Sequence, residues 1–297
     1  MARGSERRTG LRRGAASGAW AVLHDAGRRL RGVPPRTFHL ELHCHTVHSM
    51  DGLISFDGLL SAAGAVGLDA VAITDHDTIS GAVEFADWVR RRGAALQVIV
   101  GEERTLADGS HFIGLFLREP IRAVELGEAI CEIEGQGGLC LVPHPFRRKD
   151  GLLRNGMEPL AVLSGRPVGF ELFNAKCAAE ENERARRLLG TDLAPFGGSD
   201  AHYECDLGEC VNEIEWVGDL RRSVERMLRR EGTVRVLGKP QAPGAAERRY
   251  APWYYRFKRY ARVPKVLLPA AKQCYRRYRN WKHGVGRKPL REVYRHA

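Results

Sequence analysis

The sequence predicts an α/β fold in which helices pack on a parallel sheet that is either open or closed into a barrel. Between residues 37 and 240, short apolar runs typical of buried strands alternate with segments whose apolar residues have helical spacing. A second indication is that His, Asp and Glu repeatedly follow the ends of these runs, where active sites of parallel α/β folds are built. At 297 residues, the chain is long enough to bury one large core.

The individual elements follow from local patterns. Apolar and polar side chains alternate at 38–43, as in a strand, and 69–74 is an apolar run of the kind found in buried parallel strands. Apolar side chains at 56–66 have helical spacing, and Gly67 is placed to end that helix. The predicted strands are 38–43, 69–74, 96–100, 111–117, 138–142, 169–173 and 194–198. The predicted helices are 56–66, about 79–92, 122–135, 158–164 and 178–190.

The charge divides the chain into three parts. Residues 1–36 carry a net charge of +7 and residues 241–297 carry +14, so that the middle carries −10 of the total of +11. We expect a weakly ordered basic arm at 1–36, a catalytic region at 37–240 and a basic, aromatic tail at 241–297 that prolines break into short pieces. Excess carboxylates in the middle suit cation binding, whereas basic ends suit a polyanion such as nucleic acid or anionic lipid.

Cysteine usage and hydropathy predict a cytoplasmic protein. The seven cysteines are an odd number without a C-x-x-C pair, which favours reduced thiols over a disulfide framework. No apolar run approaches the length of a membrane span, and the Arg-rich start lacks the apolar core of a secretory signal. Strand alternation places Cys44 on the face opposite His43 and His45, so we interpret it as a core residue.

Titratable residues concentrate where the predicted strands end. His43 and His45 form an H-x-H pair whose side chains share one face of the first strand. His48 lies between this pair and Asp51, and the sequence leaves its role open. The strand-end residues are His43, His45, Asp51, Asp75, His76, Asp77, Glu102, Glu103, His111, His144, Asp200 and His202. Imidazoles and carboxylates on one rim are the ligands of Zn²⁺, Mn²⁺ or Fe²⁺, so the sequence predicts a site for two or three divalent ions.

Four motifs resemble those of the PHP (polymerase and histidinol phosphatase) superfamily. They are HCHT at 43–46, AITDHDT at 72–78, PHP at 143–145 and GSDAH at 198–202. The similarity runs from about Phe38 to Lys239 and is greater to stand-alone phosphoesterases than to polymerase-embedded domains.

The resemblance implies a distorted (β/α)7 TIM-like barrel with a di- or trinuclear metal centre. By position, its ligands are His43, His45, Asp51, His76, Glu103, His111, His144, Asp200 and His202. Glu103 matches the carboxylate that bridges two ions, and Glu102 stands where an aliphatic residue is usual. Many members read H-x-H-T-x-x-S-D-G, whereas Met50 lengthens the run before Asp51 here.

The resemblance also implies hydrolysis of a phosphomonoester or phosphodiester, of nucleotide type or a sugar phosphate, by a metal-activated hydroxide. Asp77 or His202 are the candidates for assisting proton transfer. Arg147 and Arg148 follow the PHP motif directly and are candidate phosphate-binding residues, although a solvated basic loop is the alternative. Asn174 ends another strand and is a candidate for lining the pocket.

The tail at 241–297 interleaves aromatic and cationic residues, at 253–260 and again at 275–282. It has three interpretations. Trp253, Phe257 and Tyr260 have helical spacing and would pack the tail onto the barrel. Alternatively, rings and cations bind unpaired bases and phosphates of nucleic acid, or lie peripherally on an anionic membrane surface.

Other functions compete with the small-molecule phosphoesterase. One is a 5′–3′ exonuclease on short RNA or DNA, which the basic ends would recruit, and histidinol phosphatase is not excluded. Another is a non-catalytic metal-binding scaffold, against which the intact candidate ligands argue. The sequence predicts no oligomeric state.

Overall fold

The computed structural model describes residues 37–188, 193–241 and 268–296. Its strands are β1 (Thr37–Glu41), β2 (Ala70–Ile73), β3 (Gln97–Thr105), β4 (His111–Leu115), β5 (Leu139–Val142), β6 (Gly169–Asn174), β7 (Ala194–Gly198), β8 (Cys210–Glu215), β9 (Val234–Gly238) and β10 (Arg291–His296). Its helices are α1 (Phe56–Val66), α2 (Ser80–Arg92), α3 (Leu126–Gly135), α4 (Pro159–Leu163), α5 (Ala179–Arg186), α6 (Leu220–Leu228) and α7 (Leu268–His283).

The described strands form one sheet in the order β10-β9-β8-β1-β2-β3-β4-β5-β6-β7. The pairs β1–β2, β2–β3, β5–β6 and β6–β7 are parallel, but β4 is antiparallel to both of its neighbours. The sheet is therefore mixed rather than all parallel. The short connection between β3 and β4 explains this, because it has room for a hairpin but not for a crossover helix.

The two ends of the β1–β7 sheet approach each other and nearly close a barrel. Beyond the strands themselves, Cys44 and Ala201 form a parallel bridge in which His45 N–H donates to Ala201 C=O at 2.8 Å. Between β7 and β8, the Asn212 side chain replaces a strand pairing. Its Oδ1 accepts from Gly197 N–H at 2.8 Å, and its Nδ2 donates to Gly197 C=O at 2.7 Å. The predicted distorted, TIM-like barrel is confirmed.

Most predicted elements lie within a few residues of their expected bounds. Helix α1 has the predicted bounds, Ser55 accepts from Gly58 N–H at its start, and Gly67 ends it at φ 86°. Helix α3 begins at Leu126 rather than 122, and α5 ends at Arg186 rather than 190. The prediction did not include β8, α6 or β9.

The core has an inner part and outer parts. One cluster fills the barrel and includes Phe38, Leu40, Ile99, Leu141 and Phe196. Others lie between the sheet and the surrounding helices, and Cys44 belongs to one of them, as the sequence predicted. All seven cysteines are unpaired. In the described ranges, no helix combines the length and apolar character needed to cross a bilayer.

The C-terminal part contains more regular structure than the sequence predicted. Helix α7 spans 16 residues, and β10 pairs antiparallel with β9, with Arg291 opposite Gly238. Pro269 does not interrupt α7 because it lies in the first turn, where the helix needs no N–H donor. The predicted N-terminal arm and the predicted packing of Trp253, Phe257 and Tyr260 lie outside the described residues.

Candidate metal centre

The structure brings all nine predicted ligands together at one end of the barrel. Each belongs to at least one group of three or four residues whose nitrogen or carboxylate oxygen atoms lie within 4.8 Å of one another. His111 reaches this rim although it begins its strand, because β4 runs antiparallel to its neighbours and its amino end lies beside their carboxyl ends. The potential metal ligands at this rim therefore come from parallel strands and from the antiparallel strand β4.

Glu103 lies at the centre of the cluster and is almost completely buried. Its Oε1 lies 2.8 Å from His111 Nδ1 and 2.8 Å from His144 Nε2. Its Oε2 lies 3.1 Å from Nε2 of both His43 and His45, and 3.6 Å from His76 Nδ1. One carboxylate thus contacts imidazoles of five residues, with different residues on its two oxygens.

Asp200 and Asp51 extend the cluster on the other side of His45. Asp200 Oδ1 lies 3.4 Å from His45 Nε2 and 3.4 Å from His202 Nδ1. Asp51 Oδ2 lies 3.1 Å from His202 Nε2 and 3.6 Å from His76 Nε2. The longer run before Asp51 therefore does not keep it from the cluster.

Buried carboxylates below the rim fix the backbone of these segments. Glu41 Oε1 accepts from the N–H groups of His43 at 2.9 Å and Ser199 at 3.1 Å, which ties β1 to the end of β7. Asp75 accepts from Thr46 N–H at 2.6 Å and from Thr46 Oγ1 at 2.7 Å. His144 and Asp200 lie in the left-handed region at φ 28° and 49°. Strained backbone of this kind is concentrated at functional sites.

Sequence reasoning missed two residues of the site. Glu171 is fully buried, with Oε1 3.1 Å from His43 Nδ1 and Oε2 accepting from His144 N–H. Asp150 forms a further potential metal-binding group with His111 and His144. A signal existed for Glu171, a charged residue inside an apolar strand, but Asp150 lies in a polar loop without a distinguishing pattern.

The electrostatics of the cluster suit cations. Burial opposes ionisation of Glu103, yet the imidazoles of His43 and His111 lower its pKa well below the usual value. Burial likewise lowers the pKa of His45, but Asp200 and Glu103 outweigh it and raise that pKa to about 10. Within the described structure, Nδ1 of His45 and Nδ1 of His144 have no hydrogen-bond partner. Buried imidazole nitrogens without hydrogen-bond partners, close to carboxylates, are suited to binding divalent ions.

The predicted substrate-binding residues differ in their surroundings. Arg147 is buried, donates to Asp200 Oδ2 from Nη1 at 2.6 Å and forms an ion pair with Asp150. Arg148 is exposed. Asn174 is buried and donates from Nδ2 to Glu171 at 2.9 Å and to Asp200 at 3.3 Å.

Three other candidates point away from the cluster centre. Asp77 Oδ1 accepts from Arg104 and from Thr105 N–H, and its Oδ2 accepts from Thr105 Oγ1. His48 Nδ1 lies 3.1 Å from Ser80 Oγ on the outer surface. Glu102 points to the opposite side of β3 from Glu103 and accepts from Ile121 N–H at 2.9 Å.

A barrel with imidazoles and carboxylates gathered on one rim offers a site able to hold divalent metal ions. Residues 41–189 match the model of the PHP domain, and residues 179–228 match that of a PHP-associated region. The chain belongs to the PHP family. Its His, Asp and Glu residues form several groups that could hold metal ions.

The chain is similar in sequence to several curated proteins. An uncharacterized protein of Methanocaldococcus jannaschii is 36% identical over 146 residues, which span 46% of this chain and 81% of that protein. A DNA polymerase III subunit alpha of Chlamydia pneumoniae is 32% identical over 137 residues, covering 42% of this chain but only 11% of the subunit.

Two solved structures share the fold at low sequence identity. A two-domain protein of Bacteroides vulgatus, containing a predicted PHP-like metal-dependent phosphoesterase, has a TM-score of 0.56 at 22% identity, covering 69% of this chain and 66% of that one. A lesion-specific endonuclease of Pyrococcus furiosus has a TM-score of 0.52 at 14% identity, covering 68% and 58%.

Proposed function

We propose that this protein is a hydrolase that cleaves a phosphomonoester or phosphodiester, of nucleotide type or a sugar phosphate, with two or three divalent ions (Mn, Zn or Fe). The observation that supports it most is Glu103, a buried carboxylate whose two oxygens contact the imidazoles of different histidines. We assign the catalytic part to residues 37–240 and a tail to 241–297, whose α7 and β10 pack against that part. The free thiols support a cytoplasmic location.

The proposed ligands are the nine predicted residues, with Glu103 bridging. Divalent ions held by these residues would supply Lewis acidity toward the phosphoryl oxygens and would lower the pKa of bound water. The chain itself supplies orientation: Glu171 fixes the His43 ring at Nδ1, as partners of ligating histidines commonly do. Asp150 lies 3.7 Å from His144 Nδ1, too far for a hydrogen bond, and interacts with that ring through its charge.

Of the two candidates for proton transfer to the leaving group, only His202 lies in the cluster, and it would carry a proton only when its Nε2 does not hold an ion. Its side chain is one-fifth exposed at the edge of the cluster, and Nε2 lies 3.1 Å from Asp51 Oδ2. Asp77 has both carboxylate oxygens engaged by Arg104 and Thr105, so it is better placed to hold the loop than to carry a proton.

For substrate binding, we propose different tasks for the two arginines. Arg147 is buried against Asp200 and Asp150 and orients these carboxylates from within the site. Arg148 is exposed and its guanidinium is available for a substrate phosphate, for which arginine is well suited. Asn174 lines the floor through its contacts to Glu171 and Asp200.

A pair of adjacent substitutions tests the proposal. Glu103→Gln should remove metal from the purified protein and lower the hydrolysis rate of an aryl phosphate by about 100-fold or more, since the Lewis-acid stabilisation is lost. Glu102→Gln is the matched control because Glu102 contacts Ile121 N–H instead. Equal metal content and equal rates in wild type and Glu103→Gln would refute the proposal.

A second candidate is hydrolysis of nucleic acid, which the outer face of α7 favours. The helix contains no Asp or Glu. Trp281 is 81% exposed, its ring centroid lies 6.3 Å from that of Tyr278, and Lys282 Nζ lies 5.7 Å from the Tyr278 ring. Exposed rings beside cations can stack on unpaired bases. The structural similarity to an endonuclease is consistent with such a substrate.

Comparing substrates separates the candidates. A nuclease should degrade short single-stranded oligonucleotides faster than mononucleotides or sugar phosphates, and Trp281→Ala should weaken oligonucleotide binding while aryl phosphate hydrolysis is unchanged. Co-sedimentation with anionic vesicles tests the membrane interpretation of the same tail. Equal oligonucleotide binding by wild type and Trp281→Ala would show that Trp281 on α7 does not bind nucleic acid.

A further inference from the structure

Helix α7 lies outside the residues that match either family model, yet it contacts two loops of the candidate metal centre. We propose that Arg279 and Asn280 of α7 are positioning residues that hold the Asp51 and His202 side of the centre in its ion-binding geometry. This inference rests on the proposed metal-dependent function. It assigns the C-terminal helix a role in building the site, separate from any surface that binds a substrate.

The first set of contacts is to the loop that follows His202. Arg279 Nη2 donates to Asp206 Oδ1 at 2.9 Å. Asp206 is 1% exposed, and its Oδ2 in turn accepts from the backbone N–H groups of His202 at 3.3 Å and Tyr203 at 3.2 Å. Arg279 therefore acts on the His202 backbone through one buried carboxylate, whose Oδ1 also forms an ion pair with Lys176 Nζ at 2.9 Å.

Asn280 makes two hydrogen bonds to the same loop. Its Oδ1 accepts from Cys205 N–H at 3.0 Å, and its Nδ2 donates to Glu204 Oε2 at 2.8 Å. Glu204 and Cys205 are both buried and Asn280 is partly buried, so these bonds lie at the partly buried contact between α7 and the loop. Buried hydrogen bonds of this kind cost free energy when one partner is removed, because the other partner is left without water.

The second set of contacts is to the loop that carries Asp51. Arg276 donates to Leu53 C=O at 3.4 Å, and Lys272 donates to Met50 C=O at 3.5 Å. Tyr275 is buried in a cluster with Leu53, Tyr203 and Cys205. Helix α7 thus packs against the Asp51 and His202 loops at once.

The two loops are also connected directly. Leu53 N–H donates to His202 C=O at 2.9 Å, and Asp51 Oδ2 lies 3.1 Å from His202 Nε2. Asp51 and His202 form one potential binding group with His45 and His76. Displacing the His202 loop would therefore change this group, whereas Glu103, His111 and His144 have no contact with α7 among the described interactions. We therefore expect a substitution in α7 to weaken the binding of one ion and to leave the binding of the others nearly unchanged.

Titration of the metal-free protein with Mn²⁺, following free Mn²⁺ by electron paramagnetic resonance, tests the inference. Arg279→Gln should raise the Kd of one binding step by about tenfold or more, as substitutions of residues that orient metal ligands commonly do. The other steps should change by less than about twofold. Arg277→Gln is the matched control because Arg277 is an exposed arginine of the same helix.

Asn280→Ala tests the same inference without removing the charge opposite Asp206, and it decides the question if Arg279→Gln does not fold. Binding curves within about twofold of wild type for the folded variant would overturn the inference. A uniform loss of affinity in all steps with a lowered Tm would also overturn it, because that result indicates general destabilisation. Absence of Mn²⁺, Zn²⁺ and Fe²⁺ binding by the wild type would instead contradict the proposed function itself.

Discussion

Glu102 and Glu103 are adjacent in the sequence but lie on opposite sides of β3. Glu103 points into the barrel rim among imidazoles that lower its pKa, whereas burial raises the pKa of Glu102 to about 7. Strand alternation is the physical cause, since successive side chains point to opposite faces. The same residue type therefore has opposite electrostatic character at two consecutive positions.

Asn212 provides a prediction at the residue scale. Its side chain is fully buried and bonds both N–H and C=O of Gly197, so Asn212→Ala leaves two backbone groups without partners. We expect the free energy of unfolding to fall by about 3 kcal/mol. Chemical denaturation measures it, with Asn155→Ala as a control because Asn155 is exposed. A fall equal to that of the control would show that the barrel does not depend on this contact.

The candidate ligands could be predicted from the sequence because each lies at a strand end within a recognisable motif. Glu171 and Asp150 could not be predicted in this way. Their roles depend on contacts to His43, His111 and His144, which lie far from them in the sequence and approach them only in the folded barrel. Residues that orient ligands have no fixed spacing from the ligands, so a sequence pattern does not reveal them.

Among the elements, α1 and β4 show what local patterns do and do not determine. The Ser55 and Gly67 ends of α1 are local signals, and the helix has the predicted bounds. The direction of β4 depends on how long its connection to β3 is, and an expected parallel sheet became a mixed one. Helix α7 and β10 were not predicted, because proline content and high charge hide an element whose apolar residues contact the barrel.

The packing of α2 against the H-x-H loop provides a prediction at the element scale. A Cβ added at Gly81 would collide with Asp75 Oδ2 and would lie 2.7 Å from Thr46 Oγ1. Gly81→Ala should therefore destabilise the protein by more than about 1 kcal/mol and weaken Mn²⁺ binding. Gly64→Ala is the matched control, since nothing lies within 4 Å of its added Cβ in helix α1. Gly64→Ala should raise the free energy of unfolding by about 0.5–1 kcal/mol, because alanine has less conformational freedom than glycine in the unfolded chain. Equal effects of both changes in calorimetry would contradict the tight contact.

At the scale of the whole molecule, the reactivity of each cysteine thiol depends on whether the fold buries it. Cys131 and Cys274 are exposed and the other five cysteines are buried. Burial raises the pKa of Cys140 and of Cys205 to about 12, so their reactive thiolate is scarce at about pH 8. A thiol reagent should modify two cysteines quickly in the native protein and all seven after denaturation. Fast modification of more than two native thiols, located by mass spectrometry, would contradict the described core.

Metal removal should lower the stability of the whole barrel. Ions that bind only the folded protein stabilise it by about 2.7 kcal/mol each at 100 times their Kd. For a domain of this size, that energy corresponds to a Tm lower by roughly 5–10 °C after chelation. Thermal unfolding with and without a chelator measures the difference, and Glu103→Gln should show little of it. An unchanged wild-type Tm would indicate that the cluster holds no ion under those conditions.

The order in which the site residues occur along the chain has a consequence for biosynthesis. The proposed ligands extend from His43 to His202, and the helix that contacts the His202 loop ends at His283. A ribosome-bound chain that has emerged only as far as α5 still lacks Asp200 and His202. The full set of proposed ligands is therefore available only after most of the chain has been synthesised, so we expect occupation of the complete centre to follow translation.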